Sequence, residues 1–399
     1  MAIEFSFNDE QKMLANTIYK WANTWLEPQM EELDEIDKFP PDFFKQLGQM
    51  GMVGITIPEQ YEGAGLGYTE ACICTEQLAR VSNALSMTWG AHLILCADNI
   101  KRNASEELKA KYLPGLCNGT QMGCLGITEP NAGSDAMSMK TTAKLDGDSW
   151  VINGSKIFIT NAPGGQTLLF YAKTAPELGP KGISAFILEI DPQPKGYTCE
   201  KIRKFGMRTS PTGLLSFDDV RLPKENLVGE LNKGVAILTG GLTTERITLS
   251  GCALGSVRAA LELSLKYAQE RVQFGKPIAA NQAIQNKLAD MYVAYETGRL
   301  LMYSAAAYVD SLTDKRGGKG TFLDMKAAAS LLYAGEVGVK CCLDGVQIHG
   351  GYGYCLEYPI QRHFRDSKLW DIGAGTSEVR RLIISRELLS GTPFVGGLA

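Results

Sequence analysis

Hydrophobic residues in the first part of the chain recur with a helical period. The opening run is formed by Leu14, Ile18, Trp21 and Trp25, a spacing that places apolar side chains on one face of a helix. Asn8 and Gln11 precede this run at the spacing of a capping box. A proline pair at residues 40–41 and a glycine-rich segment at residues 63–67 interrupt the pattern, which resumes up to about residue 120. We expect an N-terminal α-helical domain over residues 1–122.

The pattern changes between residues 123 and 233. Short runs rich in β-branched and aromatic residues occur here, among them residues 150–152 and 156–160. The turn dipeptides Asp146-Gly147, Asn153-Gly154 and Gly164-Gly165 are predicted to separate such runs. Because residues 182–190 continue the same character, the whole segment is predicted to form a middle β-domain.

Helical periodicity returns after Gly234. One apolar face is formed by Ile284, Leu288, Met291 and Tyr295, and another lies within residues 327–346. Residues 234–399 are therefore predicted to form a C-terminal α-helical bundle. The order helical, β, helical predicts an α+β multidomain protein.

The composition excludes several classes of protein. The 399 residues carry a formal net charge of -4, so no basic surface is expected to bind nucleic acid. No apolar run approaches the roughly 20 residues of a membrane span. The ten cysteines include no C-x-x-C motif and the three histidines have no metal-ligand spacing, so we expect reduced thiols and no metal site. Residues 1–5 lack leader character; a cytoplasmic location is expected, or the mitochondrial matrix for a processed protein.

Three glycine-containing clusters are the candidate ligand-binding segments of the chain. The common signatures of Rossmann dehydrogenases, P-loop enzymes, zincins and serine hydrolases are absent from the sequence. The clusters are residues 128–135 (Thr-Glu-Pro-Asn-Ala-Gly-Ser-Asp), 271–278 (Arg-Val-Gln-Phe-Gly-Lys-Pro-Ile) and 347–354 (Gln-Ile-His-Gly-Gly-Tyr-Gly-Tyr). Small residues with free N–H groups can bind phosphate. Each cluster alone is a weak signal and is more often an ordinary turn, helix end or interhelical bend.

Taken together, in this order and at these separations, the clusters resemble the acyl-CoA dehydrogenase family. Its members are flavoenzymes that remove two hydrogens from an acyl-CoA thioester. The resemblance extends to residues 111–114 (Lys-Tyr-Leu-Pro), 205–208 (Phe-Gly-Met-Arg) and 372–381 (Ile-Gly-Ala-Gly-Thr-Ser-Glu-Val-Arg-Arg). Residues 89–92 (Trp-Gly-Ala-His) and 242–246 (Leu-Thr-Thr-Glu-Arg) are most similar to the isovaleryl-CoA dehydrogenase branch.

The resemblance implies the family architecture and cofactor. An N-terminal helical domain, a middle β-barrel-like domain and a C-terminal four-helix bundle would assemble as a homotetramer, with FAD between the β-domain and the bundle. Phe158 stands where relatives usually have tryptophan, a change that could alter the spectrum or potential of the flavin. The residues expected to contact FAD are Thr128, Ser134, Phe158, Thr160, Thr376 and Glu378, together with Arg271, Phe274, Gln347 and Gly351 from a neighbouring subunit.

The catalytic base is the feature that decides the subgroup. Many members carry a glutamate directly before a Gly-Thr pair, where this chain has Ala374. Glu245 matches the glutamate of the isovaleryl-CoA dehydrogenase branch and is expected to be the base; a surface charge pair with Arg246 is the ordinary alternative. Asp98 and Glu129 are poorer candidates. The backbone N–H of Ala374 is expected to donate to the thioester carbonyl, a role that needs no side chain.

The resemblance also implies an acyl-CoA site of uncertain specificity. The residues expected at the substrate are Leu95, Ser134, Thr244, Arg246, Trp370 and Gly375. Trp370 and the 243–244 Thr-Thr pair differ from the isovaleryl branch. A branched or bulky acyl-CoA is expected; alicyclic, aryl-substituted and dicarboxylic substrates remain open, and plain core packing is the alternative for the aromatic residues.

Three functional hypotheses follow. The leading one is an oxidoreductase acting on CH–CH bonds that passes electrons to electron-transferring flavoprotein. The second is a relative that uses dioxygen or acts as an enoyl-CoA reductase. The third is a catalytically silent CoA-binding protein, which the alanine at position 374 suggests and Glu245 opposes.

Overall fold

A computed structural model describes residues 6–312 and 321–392. The N-terminal stretch used for the leader expectation, residues 1–5, lies outside the described residues. Within the described ranges, no helix combines the length and apolar character that crossing a bilayer requires. The same ranges contain no group of three or more His, Cys, Asp or Glu side chains arranged to bind a metal ion.

The first part of the chain is helical, as predicted. The Asn8 side chain accepts from the Gln11 N–H at 2.8 Å, and the Gln11 side chain accepts from the Asn8 N–H at 3.2 Å, so the capping box is confirmed. Two π-helical segments, Ala22–Leu26 and Ala91–Ala97, interrupt the regular helices. The α-helices are α1 (Asp9–Trp21), α2 (Met30–Glu35), α3 (Phe43–Gln49), α4 (Tyr68–Ala79), α5 (Asn83–Gly90), α6 (Asp98–Asn103) and α7 (Glu106–Cys117).

The middle of the chain forms one sheet. Its strands are β1 (Gly123–Gly126), β2 (Thr142–Asp146), β3 (Ser149–Thr160), β4 (Thr167–Lys173), β5 (Ile183–Glu189), β6 (Tyr197–Lys201), β7 (Thr212–Pro223) and β8 (Leu227–Val228). The hydrogen-bonded order is β6-β7-β3-β2-β4-β5-β8, and β1 pairs with β4. The contacts of β4 with β1 and β2 are parallel and the other pairings are antiparallel.

One turn prediction in this segment is wrong. Asn153-Gly154 does not separate two strands, because β3 runs unbroken through it with a register shift against β7 between Ile152 and Gly154. Gly154 accommodates this bulge at a φ of 141°. The Asn153 side chain meanwhile bonds Asp219 of β7 through both its amide nitrogen and its oxygen. Pairing with β2 and β7 on both sides thus overrides the local turn preference.

The last part of the chain returns to helices. They are α8 (Gly234–Glu270), α9 (Gln282–Ser311), α10 (Phe322–His349), α11 (Ile360–Ser367) and α12 (Ser377–Leu389), with a small hairpin of β9 (Val272–Gln273) and β10 (Lys276–Pro277) after α8. Helix α8 packs against α4, α9 and α10. The predicted helical, β, helical order is confirmed, whereas the domain limits at residues 122 and 233 stay predictions.

The largest hydrophobic core joins the N-terminal helices to α8 and α10. Trp89 and Trp370 are both buried in it, and a second core lies within the sheet. His92 connects the two regions: its Nδ1 accepts from the Gly123 N–H at 2.9 Å, and its Nε2 lies 2.9 Å from the Leu116 carbonyl. Burial lowers the pKa of His92 to about 4, so this imidazole is a neutral structural bridge.

Candidate active site

Glu245 is a buried carboxylate in the middle of α8. Only 4% of the residue is exposed, and its Oε2 has no hydrogen-bond partner among the described residues. Burial raises the pKa of Glu245 to about 7, against the opposing effect of the Arg246 and Arg380 cations. A carboxyl group that is buried, incompletely hydrogen bonded and titrating near neutrality has the properties of a general base.

The turn before α12 lies beside this helix. Ala374 has a φ of 55° and Gly375 a φ of 85°, so two successive residues adopt the left-handed region, which is uncommon for alanine. The Nε of Arg246 donates to the Ala374 carbonyl at 3.1 Å. The N–H of Ala374 donates to no protein group in the described part of the chain. The turn therefore presents a free amide donor next to the helix that carries Glu245.

Arg380 is a residue of this site that sequence reasoning missed. It is completely buried; its Nη1 donates to the Trp370 carbonyl at 2.6 Å and its Nη2 to the Gly373 carbonyl. Burial lowers the pKa of Arg380 to about 10. The available signal was an arginine one turn beyond the Thr376 cap of α12, in reach of the turn that precedes the helix.

Of the predicted acyl-site residues, Arg246 is buried together with three others, Gly375 is half-buried and Ser134 is exposed. Leu95, Thr244 and Trp370 are buried, at 8%, 0% and 1% exposure, and Leu95 lies on the π-helix Ala91–Ala97. The Thr244 hydroxyl accepts from Arg102 at 3.3 Å, whereas the Trp370 Nε1 has no partner within the described ranges. These three residues and Glu245 belong to the interior between α8 and its neighbours.

The other two carboxylates considered from the sequence are engaged elsewhere. Asp98 bonds the Tyr68 hydroxyl at 2.8 Å and the Arg102 guanidinium at 2.9 Å. Glu129 pairs with the buried Lys156 at 2.9 Å and accepts from two backbone N–H groups, at 2.6 and 2.9 Å. Each carboxylate is ion-paired and accepts hydrogen bonds, which suits structural roles rather than proton abstraction.

The predicted flavin residues of the β-domain lie on one loop and one strand. The Ile157 N–H donates to the Thr128 carbonyl at 2.8 Å, which joins the loop carrying Thr128 to strand β3. Phe158 and Thr160 are near the end of that strand. Phe158 is 63% exposed and has a φ of 61°, an unusual conformation for an aromatic residue. An exposed aromatic face held in this way is suited to stack against a planar ligand.

Arg271 and Gly351 line a cavity of about 480 Å³ at the end of α10. The Arg271 guanidinium lies 5.4 Å from the centre of the Tyr352 ring, so a cation and an aromatic face border the same space. Phe274 and Gln347 do not line this cavity. Phe274 is fully exposed at a φ of 53°, which makes it available to a second molecule.

Thr376 and Glu378 line a different cavity of about 310 Å³ at the start of α12. The Thr376 hydroxyl caps this helix by accepting from the Val379 N–H at 3.3 Å. Ser377 also lines the cavity, and its buried Oγ has no partner among the described residues. A helix N-terminus with an orphaned hydroxyl favours a polar group of a ligand, since the carboxylates of Glu336, Asp371 and Glu378 also line this cavity.

Comparison with known families matches nearly the whole chain. The acyl-CoA dehydrogenase N-terminal domain matches residues 8–120, its middle domain residues 124–220 and its C-terminal domain residues 232–389. The chain belongs to the acyl-CoA dehydrogenase family. Members of this family are oxidoreductases that act on CH–CH bonds, and the predicted family and fold are confirmed.

Individual relatives agree with this assignment. The mitochondrial isovaleryl-CoA dehydrogenase of Solanum tuberosum is 42% identical over 388 residues, 96% of this chain and 91% of the relative. A solved chain from work on the electron transferring flavoprotein of Acidaminococcus fermentans has a TM-score of 0.92 and 37% identity, covering 97% of this chain and 100% of its own. Glutaryl-coenzyme A dehydrogenase in its glutaryl-CoA complex has a TM-score of 0.92 and 36% identity, covering 98% of each chain.

The residues fit the FAD that this family implies. The exposed Phe158 offers a face for a ring system, the orphaned Ser377 Oγ offers a donor for a polar group, and the Arg271 guanidinium offers donors for an anionic group. Their arrangement on three separate surfaces suits an extended dinucleotide better than a compact ligand.

Proposed function

We propose that this protein is an FAD-dependent dehydrogenase of a branched or bulky acyl-CoA, with Glu245 as its catalytic base. The observation that carries the proposal is the buried Glu245 carboxylate with a pKa near 7, adjacent to a turn with a free backbone N–H. The alanine at position 374 is then compatible with catalysis, because the base belongs to α8 instead of the turn.

Glu245 would remove the α-proton of the acyl thioester. Its pKa near 7 leaves a substantial fraction ionised at neutral pH while keeping it a stronger base than an exposed carboxylate. Its free Oε2 has no competing donor among the described residues, so the proton of the substrate would meet an unengaged oxygen. When bound, FAD supplies the acceptor for the hydride from the β-carbon.

The Ala374 N–H would donate to the thioester carbonyl. Charge develops on that oxygen as the α-proton leaves, and a donor fixed in advance stabilises it without reorganisation. The left-handed backbone at residues 374–375 and the Arg246 bond to the Ala374 carbonyl support a fixed donor. Arg246 would thereby contribute at the mouth of the acyl-CoA site, with Gly375 and Ser134 near the thioester and CoA portions.

FAD would be held by two surfaces of one subunit and one of its neighbour. Phe158 and Thr160 would face the flavin ring, with Thr128 and Ser134 near the ring edge and phosphates. Thr376 and Glu378 would contribute from the second cavity. Arg271, Phe274, Gln347 and Gly351 would reach the FAD of another copy, a role supported by the complete exposure of Phe274.

A homotetramer follows from that shared site. Helix α9 carries the exposed apolar side chains Val293 and Leu300 on one side, flanked by the exposed Tyr292 and Leu301. Apolar side chains exposed in one chain support burial against another copy. Electron-transferring flavoprotein is proposed as the electron acceptor, in keeping with the relatives and with the family resemblance.

The acyl group is proposed to be branched or bulky. Similarity to isovaleryl-CoA dehydrogenase over 96% of the chain supports this class. Thr244 and Trp370 place a hydroxyl and an indole in the surrounding interior, so an alicyclic, aryl-substituted or dicarboxylic acyl-CoA is the second candidate, which the likeness to glutaryl-coenzyme A dehydrogenase favours.

Anaerobic titration of the purified holoprotein with straight, branched, cyclic and dicarboxylic acyl-CoAs tests the proposal. We expect flavin bleaching by the wild type and by Glu270→Gln, an exposed position on the same helix. Glu245→Gln should remain folded, yellow and unbleached, with turnover reduced by at least about 1,000-fold, because an amide cannot accept the α-proton. Near-normal turnover of Glu245→Gln would contradict the assignment, and a wild type that no acyl-CoA bleaches would be catalytically silent. Oxygen consumption with peroxide release would indicate an oxidase.

A further inference from the structure

We propose that Arg380 is a positioning residue that fixes the direction of the Ala374 N–H toward the substrate carbonyl. The inference rests on the proposed function, in which this N–H stabilises the thioester oxygen and Glu245 removes the α-proton. It adds a residue on a third element, α12, to a site otherwise formed by α8 and the turn before α12.

The contacts of Arg380 are directed entirely at the backbone of the turn. Its guanidinium donates to the carbonyls of Trp370 and Gly373, and no acidic side chain forms an ion pair with it in the described ranges. A fully buried guanidinium is costly to desolvate, and these two carbonyls are its hydrogen-bond compensation. The two hydrogen bonds of the buried Arg380 guanidinium therefore require one particular conformation of the turn.

The Gly373 carbonyl and the Ala374 N–H belong to the same peptide group, so the contact with Arg380 also sets the direction of this N–H. In a trans peptide the C=O and the following N–H point in opposite directions. Because Arg380 binds the Gly373 carbonyl, the Ala374 N–H must point away from Arg380. Rotation of this peptide would break the carbonyl contact and re-aim the donor at the same time.

Arg246 restrains the next peptide in the same way. Its Nε donates to the Ala374 carbonyl, so the orientation of the Gly375 N–H is fixed as well. The two guanidinium groups thus hold successive peptides from two helices, α8 and α12. Such restraints explain how Ala374 is kept at a φ of 55°, a conformation that is unfavourable for an alanine.

Arginine is better suited than lysine to this task. Its planar fork can donate to two carbonyls at once, whereas an ammonium group on a flexible stem acts as a point charge. The cation also faces Glu245, whose pKa it holds down. Loss of Arg380 should therefore have two separable effects. The Ala374 N–H should no longer point at the substrate carbonyl, and the pKa of Glu245 should rise.

Exchange of the α-protons of 3,3-dimethylbutyryl-CoA in D₂O isolates the relevant step. This compound has α-hydrogens but no hydrogen on its β-carbon, so exchange reports proton removal and carbonyl stabilisation without hydride transfer. The variants are Arg380→Met and Arg380→Lys, and the matched control is Arg381→Met, since Arg381 is exposed and pairs with Glu336 on the surface. Mass spectrometry follows exchange, with FAD content, particle mass and the dissociation constant of the compound measured alongside.

We expect Arg380→Met to slow exchange about 10- to 100-fold, the usual effect of a displaced donor, with less than about threefold change in the dissociation constant. Its pH profile should move to higher pH, which a merely structural role would not cause. Arg380→Lys should be at least about fivefold slower than Arg381→Met and decides the matter if the methionine variant does not fold. Exchange within about twofold of the control overturns the inference.

The same experiment separates this inference from the function on which it rests. Glu245→Gln must abolish exchange if Glu245 is the base. Retained exchange in Glu245→Gln refutes the proposed function itself. Abolished exchange in Glu245→Gln, with unchanged exchange in both Arg380 variants, refutes only the positioning role.

Discussion

The Nε of Arg246 lies 3.1 Å from the carbonyl oxygen of Ala374, across 128 residues of sequence. This bond joins the residue that follows the proposed base to the residue that stands where many relatives carry theirs. Helix α8 and the turn before α12 are therefore coupled at the point where the thioester would lie. Proton removal and carbonyl stabilisation depend on one connected arrangement, although the groups come from distant segments.

The pH dependence of catalysis should follow Glu245. Since burial raises the pKa of Glu245 to about 7 and only the ionised form accepts a proton, kcat/KM should fall about tenfold per pH unit below pH 7 and level off above it. Initial rates with a bleaching acyl-CoA between pH 5.5 and 9 measure this profile. A profile that is flat from pH 5.5 to 7 would contradict the assignment of Glu245 as the base.

The free energy of unfolding should also depend on pH through the Glu245 carboxyl. Its pKa rises from 4.5 in the unfolded chain to about 7 in the fold, so the protein binds the proton more tightly when folded. The resulting stabilisation is complete below pH 4.5 and is lost as pH rises through 7. We expect Glu245→Gln to gain on the order of 3 kcal/mol relative to wild type between pH 5 and pH 8.

Thermal unfolding of the two holoproteins at both pH values measures that gain as a growing difference in Tm. Glu270→Gln is the control, because this glutamate is exposed on the same helix and should give a constant difference. A Tm difference for Glu245→Gln that does not change with pH would show that the wild-type carboxyl is not forced to ionise inside the fold.

The sequence predicted the architecture better than the details of the site. Periodicity located α1, α9 and α10, because amphipathic helices repeat their apolar residues along the chain. It failed at Asn153-Gly154, where strands β2 and β7, brought in from other parts of the sequence, hold β3 through a bulge. Local turn propensity carries no information about such neighbours.

The site divides in the same way. Glu245 could be predicted as the base from its motif, since the Glu245-Arg246 dipeptide and the alanine at position 374 can both be read from the sequence. The left-handed φ of Ala374 and the burial of Arg380 could not, because they depend on how α12 and the turn pack against α8. Arg380 and Arg381 are adjacent residues of the same type, yet Arg380 is fully buried and Arg381 pairs with Glu336 at the surface.

The buried pair of Lys156 and Glu129 should be essential to the β-domain. Lys156 is fully buried, lies 2.9 Å from Glu129 and also donates to the Ile127 carbonyl at 3.1 Å. Lys156→Met would leave the Glu129 carboxylate buried without its cation, a loss of about 3 to 5 kcal/mol. Because the pair ties the loop carrying Thr128 to strand β3, FAD should also dissociate more readily.

Thermal unfolding and the fluorescence of released flavin measure these two effects. Lys144→Met is the matched control, as this lysine is exposed on β2 and should change stability by less than about 0.5 kcal/mol. Equal behaviour of the two variants would refute a role for the pair in stability, and unchanged FAD retention in a destabilised Lys156→Met would refute its role in the cofactor site.

Leu300→Arg should dissociate the proposed tetramer and release FAD. Leu300 is 48% exposed in the single chain and lies on the same side of α9 as Val293, seven residues before it. Burying an unpaired arginine in an interface is strongly unfavourable, so a subunit contact formed by this face could not persist. Because Arg271 and Phe274 are proposed to complete the FAD site of another copy, cofactor should be lost together with particle mass.

Leu145→Arg is the control, because this leucine of β2 is 50% exposed, and it should keep both its mass and its FAD. Light scattering coupled to size exclusion measures the particle mass, and flavin absorbance measures the FAD content. An unchanged mass for Leu300→Arg would remove this face of α9 from the interface, and loss of mass with full FAD retention would show that each chain binds its cofactor alone.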